Sequence, residues 1–190
     1  MFQVLEDNMP TMAPKLHRLL ADRHAHLTSA TTGVLILCDK YSGLHFLRHC
    51  LDKEGANYVF LDGKHEQVIW SRDGQPLPRR KASSKVSFGT QWNKRKTEFR
   101  TVVVDIAYLA EGINIPGIGL VLCCASFSDG STMEQAFGRA DRMCSLPESD
   151  NRLVRKLYLM EGGKEKETES ALKQWVQKEK DESVLQDHSF

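Results

Sequence analysis

Two uninterrupted apolar runs constrain this chain more than any other feature. Thr101-Val-Val-Val-Asp105 and Ile118-Gly-Leu-Val-Leu-Cys-Cys-Ala125 show no alternation of apolar with polar side chains. A strand with one face in water alternates with period two, whereas a continuous apolar run bounded by turn residues fits a strand covered on both faces. Double coverage is the mark of a parallel sheet flanked by helices. The segment between the runs contains Gly112-Ile-Asn114-Ile-Pro116, a turn-forming pattern, and the second run gives way to a Ser/Asp/Gly-rich loop before Gln135. The expected order is therefore buried strand, loop, buried strand, loop, helix, within one α/β domain with helices on both faces of a parallel sheet. A chain of 190 residues is long enough to bury such a core without disulfides.

The helix expected after the second run reads Gln135-Ala-Phe-Gly138-Arg139-Ala-Asp-Arg142. Residues three apart on a helix share a face, so Arg139 and Arg142 are able to reach a single polyanion. A guanidinium offers phosphate oxygens a planar fork that a lysine point charge does not. Positive charge set against a transferring γ-phosphoryl group is the chemistry of arginine fingers. The competing reading of Arg-x-x-Arg on a helix is a solvated face.

In its order of EGINIP, apolar strand, Ser/Asp/Gly loop and QAFGRADR, the chain resembles motifs V and VI of superfamily 2 helicases and translocases. The resemblance implies the second of two RecA-like domains. There, motif V, with Gly112 and Asn114, links nucleic acid to the ATP site. Arg139 and Arg142 of motif VI face the γ-phosphate, beside Gly138, and Gln135 orients them or the attacking water. Val34-Leu-Ile-Leu-Cys-Asp-Lys40 resembles the motif IV strand, followed by a helix from about Ser42 to Lys53. Tyr58-Val-Phe-Leu-Asp-Gly63 resembles the short strand and Leu-Asp-Gly turn of these domains. That turn, with Arg155-Lys-Leu-Tyr-Leu159 and Glu165-Lys-Glu-Thr-Glu169 further on, points toward the Swi/Snf-like DNA translocase branch, while Asp105 and the Glu111-Gly112 pair are also similar to the excision-repair branch. Ile106 stands where many members carry a phosphate-touching hydroxyl, which leaves backbone N–H groups near Gly112 for that contact.

Two parts of phosphoryl transfer are not in this sequence. No GxxxxGK[ST] loop occurs, since Gly162-Gly-Lys-Glu165 has neither the spacing nor the hydroxyl, and no DEAD-like acidic box follows a buried strand. The expectation is half of a motor, inactive alone. An N-terminal RecA-like domain, in the same longer chain or in a partner, would hold ATP and Mg²⁺ with it. The alternative is a RecA-like domain kept as a nucleic-acid or protein-binding module without turnover.

Formal net charge is only +1, but the charge is unevenly spread. Arg79, Arg80, Lys81, Lys85, Lys94, Arg95, Lys96 and Arg100 face only Glu98 in their stretch, with Phe88, Trp92 and Phe99 among them. Basic residues with interleaved aromatics suit phosphate neutralisation and base stacking, so Arg79, Arg80, Lys94, Arg95 and Lys96 are the candidate contacts to DNA or RNA. A solvated loop with a few anchors is the alternative. In the family an arginine and then a phenylalanine precede motif V, places that Arg95 and Phe99 fill, with Phe88 and Trp92 packing a helix. Residues 65–97 are long for a connection and hold Gly74, Pro76, Pro78 and Ser83-Ser84, so they read as a basic insertion, mobile from Gln75 to Ser84.

The remaining expectations concern the ends and the environment. Residues 1–13 read as linker, with a helix over residues 9–25; the domain proper spans 14–160; residues 161–190 form a charged helix, carrying Leu172, Trp175 and Val176, and a tail. No apolar run approaches the roughly 18 residues of a membrane span. The five cysteines form no CxxC pair and suit a reducing cytosol or nucleus. His45 and His49 stand one helical turn apart without a third ligand nearby, so no metal is expected.

Overall fold

The computed structural model describes residues 12–38, 44–62, 67–78, 85–105, 115–124 and 154–157. In chain order these form α1 (Met12–Ser29), β1 (Gly33–Cys38), α2 (Leu44–Lys53), β2 (Tyr58–Asp62), β3 (Gln67–Arg72), β4 (Gln75–Pro76), α3 (Lys85–Arg95), β5 (Thr101–Asp105), β6 (Ile118–Cys124) and β7 (Val154–Leu157). The strands make one sheet in the order β4-β3-β2-β5-β1-β6-β7. β2, β5, β1, β6 and β7 run parallel, and β3 and β4 extend the β2 edge antiparallel.

The unbroken apolar runs form the centre of the sheet. Every residue of β1 and of β6 is buried, as are the first four of β5. Successive strand residues point to opposite faces, which divides the core in two. Val34, Ile36, Cys38, Tyr58, Phe60, Val103, Leu120, Leu122 and Cys124 form one cluster with Leu16, Leu19 and Leu20 of α1 and Leu44, Phe46, Leu47, Cys50 and Leu51 of α2. Leu16, Leu19 and Leu20 recur at helical spacing and are all buried. Arg48 of α2 lies over the Phe60 ring at 4.4 Å. The opposite face carries Val59 paired with Trp70, and Trp70 meets Phe88 of α3 at a centroid distance of 6.0 Å. Helices thus cover both faces, as the sequence pattern requires.

Residues 65–97 are more structured than a long connection. β3 pairs along the whole of β2, and α3 occupies much of the rest. The β3–β4 turn has Asp73 at φ 50° and Gly74 at φ 72°. Positive φ at both central residues is the signature of the type I′ hairpin, for which Asp-Gly is a favoured pair. The turn is docked as well as tight: Asp73 N–H donates to Asn57 Oδ1 at 2.8 Å, and Gly74 N–H donates to the Ala56 carbonyl at 3.2 Å. Of the stretch expected to be mobile, Gln75 to Pro78 belongs to this hairpin and its exit, while residues 79–84 lie outside the described residues. No described helix is long and apolar enough to cross a membrane.

Candidate functional site

Ligands of open parallel sheets bind outside the carboxyl ends of the strands. Here that end is formed by Cys38, Asp62, Asp105, Cys124 and Leu157. Leu61, Val104, Leu37, Cys123 and Leu157 make one continuous row across five parallel strands, and Asp105 and Cys124 flank Cys38 one residue further on. Cys38 and Cys124 are fully buried, while Asp105 is partly exposed. The chain leaves this edge twice toward the residues that the sequence singled out. Residues 106–114, with Gly112 and Asn114, follow Asp105; residues 125–153, with Gln135, Gly138, Arg139 and Arg142, follow Cys124. All six candidates lie outside the described residues. Topology therefore gives the point from which each segment departs.

The basic stretch belongs to the other end of the sheet. α3 ends at Arg95 and β5 begins at Thr101, so Lys94, Arg95 and Lys96 precede the amino end of a parallel strand. A five-residue strand separates that end from Asp105, roughly 13 Å at the usual rise. Lys94 and Lys96 are exposed. Arg95 is half-buried, its guanidinium 5.2 Å from the Trp70 ring centroid and 5.7 Å from that of Phe99, in cation–π range of both. Arg79 and Arg80 lie outside the described residues.

The base-stacking part of the sequence reading is corrected by burial. Phe88, Trp92 and Phe99 are at most 1% exposed, so their ring faces are closed to a nucleobase. They pack instead with Trp70, edge-on to Phe99 at 4.9 Å, and Phe88 lies 6.2 Å from Trp92. The helix-packing role expected of Phe88 and Trp92 is what they perform. Arg100 is likewise not a surface cation. Its guanidinium donates to the carbonyls of Leu27 at 2.9 Å, Ala30, and Thr32 at 2.8 Å. Those groups end α1 and lead into β1, where helix carbonyls have no intrahelical partner.

Several further contacts were beyond sequence reasoning. Arg23, a buried residue of α1, donates from Nε to Thr101 Oγ1 at 2.9 Å and meets Glu54 at 3.5 Å. Burial pushes its pKa below the usual arginine value, against the opposing pull of the Glu54 charge. Tyr58 donates its hydroxyl proton to Asp52 Oδ1 at 2.7 Å. Trp92 donates its indole N–H to the Pro116 carbonyl at 2.9 Å, which joins α3 to the residues just before β6. Each pair is far apart in sequence or unmarked by any motif. Among the described residues, no three His, Cys, Asp or Glu side chains gather as a metal site.

A family model matches the sequence, and a solved structure shares the architecture. The model of the helicase conserved C-terminal domain matches residues 14–144. No curated protein matches the chain. The crystal structure of the C-terminal part of the Fun30 ATPase domain superposes with a TM-score of 0.58 at 15% identity, covering 83% of this chain and 45% of that one. This chain therefore spans less than half the length of that structure. The E. coli DEAD-box protein SrmB, solved bound to regulator of ribonuclease activity A, aligns with a TM-score of 0.48 at 17% identity over 77% of this chain and 70% of its own. The family match extends over more than half of the 190 residues and takes in β1 to β6, the EGINIP segment and the QAFGRADR segment, so this chain belongs to the helicase conserved C-terminal domain family, the RecA-like second domain of superfamily 2 helicases and translocases.

Proposed function

We propose that this domain is the C-terminal motor half of an ATP-dependent nucleic-acid helicase or translocase. The observation that carries the reading is QAFGRADR on the segment that leaves β6 at the carboxyl edge of a family-matched sheet. Arg139 and Arg142 would neutralise charge on the transferring γ-phosphate, with Gln135 orienting them or the attacking water, and Gly112, Asn114 and Gly138 would shape the backbone beside that site. The donors this chain offers are guanidinium and backbone N–H groups, which suit phosphate oxygens. No phosphate loop occurs in the sequence, and no acidic cluster among the described residues. ATP and Mg²⁺ would accordingly be held mainly by an N-terminal RecA-like domain, in a longer form of the chain or in a partner. The whole would work inside the cell, in cytoplasm or nucleus, where thiols such as the buried Cys38, Cys50, Cys123 and Cys124 stay reduced.

DNA or RNA would be gripped at Lys94, Arg95, Lys96, Arg79 and Arg80. Burial of Phe88, Trp92 and Phe99 leaves the phosphate backbone as the target of this surface, so binding there would be salt-dependent and indifferent to base sequence. The second reading, a RecA-like binding module without turnover, is favoured by Ile106 at the hydroxyl position and by the lack of a phosphate loop. ATP hydrolysis decides between them, measured on this chain alone and on the longest form of the protein containing it, with and without single- and double-stranded nucleic acid. Turnover only in the longer form, stimulated by one kind of strand, supports the motor half and identifies its track. No turnover in either form leaves the binding module.

A further inference from the structure

The basic helix and the EGINIP segment meet at one hydrogen bond. We infer that Trp92 is a positioning residue that ties α3 to the turn at Pro116 and Gly117, so that contact of a nucleic-acid backbone with Lys94 and Lys96 is passed to the segment feeding the ATP site. The inference rests on the motor reading above.

Trp92 has no freedom to move independently of its surroundings. It is 1% exposed, packs against Phe88, and belongs to a tilted and edge-on aromatic series running through Trp70 to Phe99. Interiors of this density shift as units. An indole has a single donor, and here it is used on the Pro116 carbonyl at 2.9 Å. The next residue, Gly117, has φ 87°, in the left-handed region, and its carbonyl accepts from Gly33 N–H at 2.8 Å. The turn is thus held from one side by β1 and from the other by α3. Ile115, immediately before it, is fully buried and fixes the end of the segment that contains Gly112 and Asn114.

The lysines share the same turn of backbone as the indole. Lys96 N–H donates to the Trp92 carbonyl at 2.7 Å, and the Lys96 side chain runs past Gly117, whose added Cβ would lie 3.9 Å from Lys96 Cδ. A phosphate drawn to Lys94 and Lys96 therefore pulls on the helical turn whose indole holds Pro116. Packed side chains and hydrogen bonds of this kind carry coupling when the two sites favour different arrangements.

The test uses the longest form of the protein and the variant Trp92→Phe, which keeps an aromatic ring in the core and deletes the N–H. Loss of this one link between α3 and the turn predicts about a fivefold drop in the stimulation of ATP hydrolysis by saturating oligonucleotide. Basal turnover and the oligonucleotide Kd stay within about twofold, since no phosphate-contacting group is removed. A merely structural tryptophan would lower Tm without changing the stimulation factor. Gly117→Ala disturbs the same turn from the opposite side, through its left-handed φ, and reproduces the uncoupling even if Trp92→Phe folds poorly. Stimulation in both variants equal to wild type overturns the inference, and so does a drop in affinity large enough to explain all of the missing stimulation. A wild-type protein with no stimulation at all overturns the motor reading and the coupling with it, a result visible before any variant is made.

Discussion

The two ends of the sheet treat positive charge in opposite ways. At the amino end the arginines serve the fold: Arg23 is bonded to Thr101, Arg72 is paired with Glu98, Arg95 lies on Trp70 and Phe99, and Arg100 holds the end of α1. At the carboxyl end Leu61, Val104, Leu37 and Cys123 form a buried apolar row just inside the strand ends, and the two arginines that matter for the proposed chemistry, Arg139 and Arg142, come on the segment that follows β6. Basic density in a sequence is therefore a poor guide to binding when the cations are arginines able to reach carbonyls, carboxylates or ring faces. Lys94 and Lys96, whose heads are compact and strongly hydrated charges, remain exposed where the arginines around them turn inward.

The largest effect expected from this contrast is at the carboxyl end. Arg142→Ala in the longest form should lower ATP turnover by roughly a thousandfold, the scale of an arginine finger removed, while ATP affinity and Tm change little. Unchanged turnover would return Arg142 to the solvated-face reading. At the amino end the same substitution should do the reverse. Arg100→Ala leaves three carbonyls at the α1–β1 junction without their donor and should cost about 3 kcal/mol of stability, with oligonucleotide affinity unaltered. Urea unfolding and a binding isotherm on the same variant separate the two outcomes, and weaker binding with stability intact would add Arg100 to the nucleic-acid contacts.

What is legible in the sequence follows from how each element is stabilised. β1, β5 and β6 are central strands, buried on both faces, and a strand of that kind writes itself as a continuous apolar run. The opening helix is legible from Leu16, Leu19 and Leu20, and it runs on to Ser29. The hairpin is hidden, although Asp73-Gly74 is a strong two-residue turn signal, because Pro76 and Pro78 just beyond it read as loop residues. Pro76 is tolerated because β4 is a two-residue edge strand, where a missing N–H has no ladder partner to disappoint. Arg100 and Trp92 are illegible in a different way. Their partners, Ala30 and Pro116, stand 70 and 24 residues away, and nothing in local pattern points to a carbonyl across the fold. For the site, the motif comes from the sequence and the edge it departs from comes from the topology.

The exposed lysines test the contrast from its other side. Lys94→Gln with Lys96→Gln should weaken oligonucleotide binding by roughly fivefold per lysine near physiological salt, and reduce the slope of log K against log salt by about 0.9 for each duplex phosphate that is no longer neutralised. Stability should be unchanged, because both side chains are exposed. Weakened binding with an unchanged slope would mean that these lysines act through the fold and not through phosphate. The pair thus differs from Arg100 in both readouts.

The smallest expected effect lies where a phenol meets a carboxylate at the amino end. Tyr58, at the start of β2, gives its proton to Asp52 Oδ1, and Ser71 Oγ reaches the same oxygen at 3.5 Å. Burial, followed by the Asp52 hydrogen bond, pushes the phenol above the ordinary tyrosine value of 10.0, an effect the nearby Arg48 partly opposes. A group that holds its proton more tightly when folded adds stability that is complete below the unfolded pKa and disappears as pH rises through the folded one. Wild-type Tm should therefore fall as the pH is taken upward from about 10, more steeply than in Tyr58→Phe, which has no proton to lose there. At neutral pH the same variant should cost about 1 kcal/mol, the net value of one hydrogen bond together with a carboxylate left with one fewer donor. Parallel alkaline slopes in the two proteins would show that Tyr58 ionises as freely in the fold as out of it. The Asp52 contact would then contribute packing alone, and closure of the amino end would rest on its arginines.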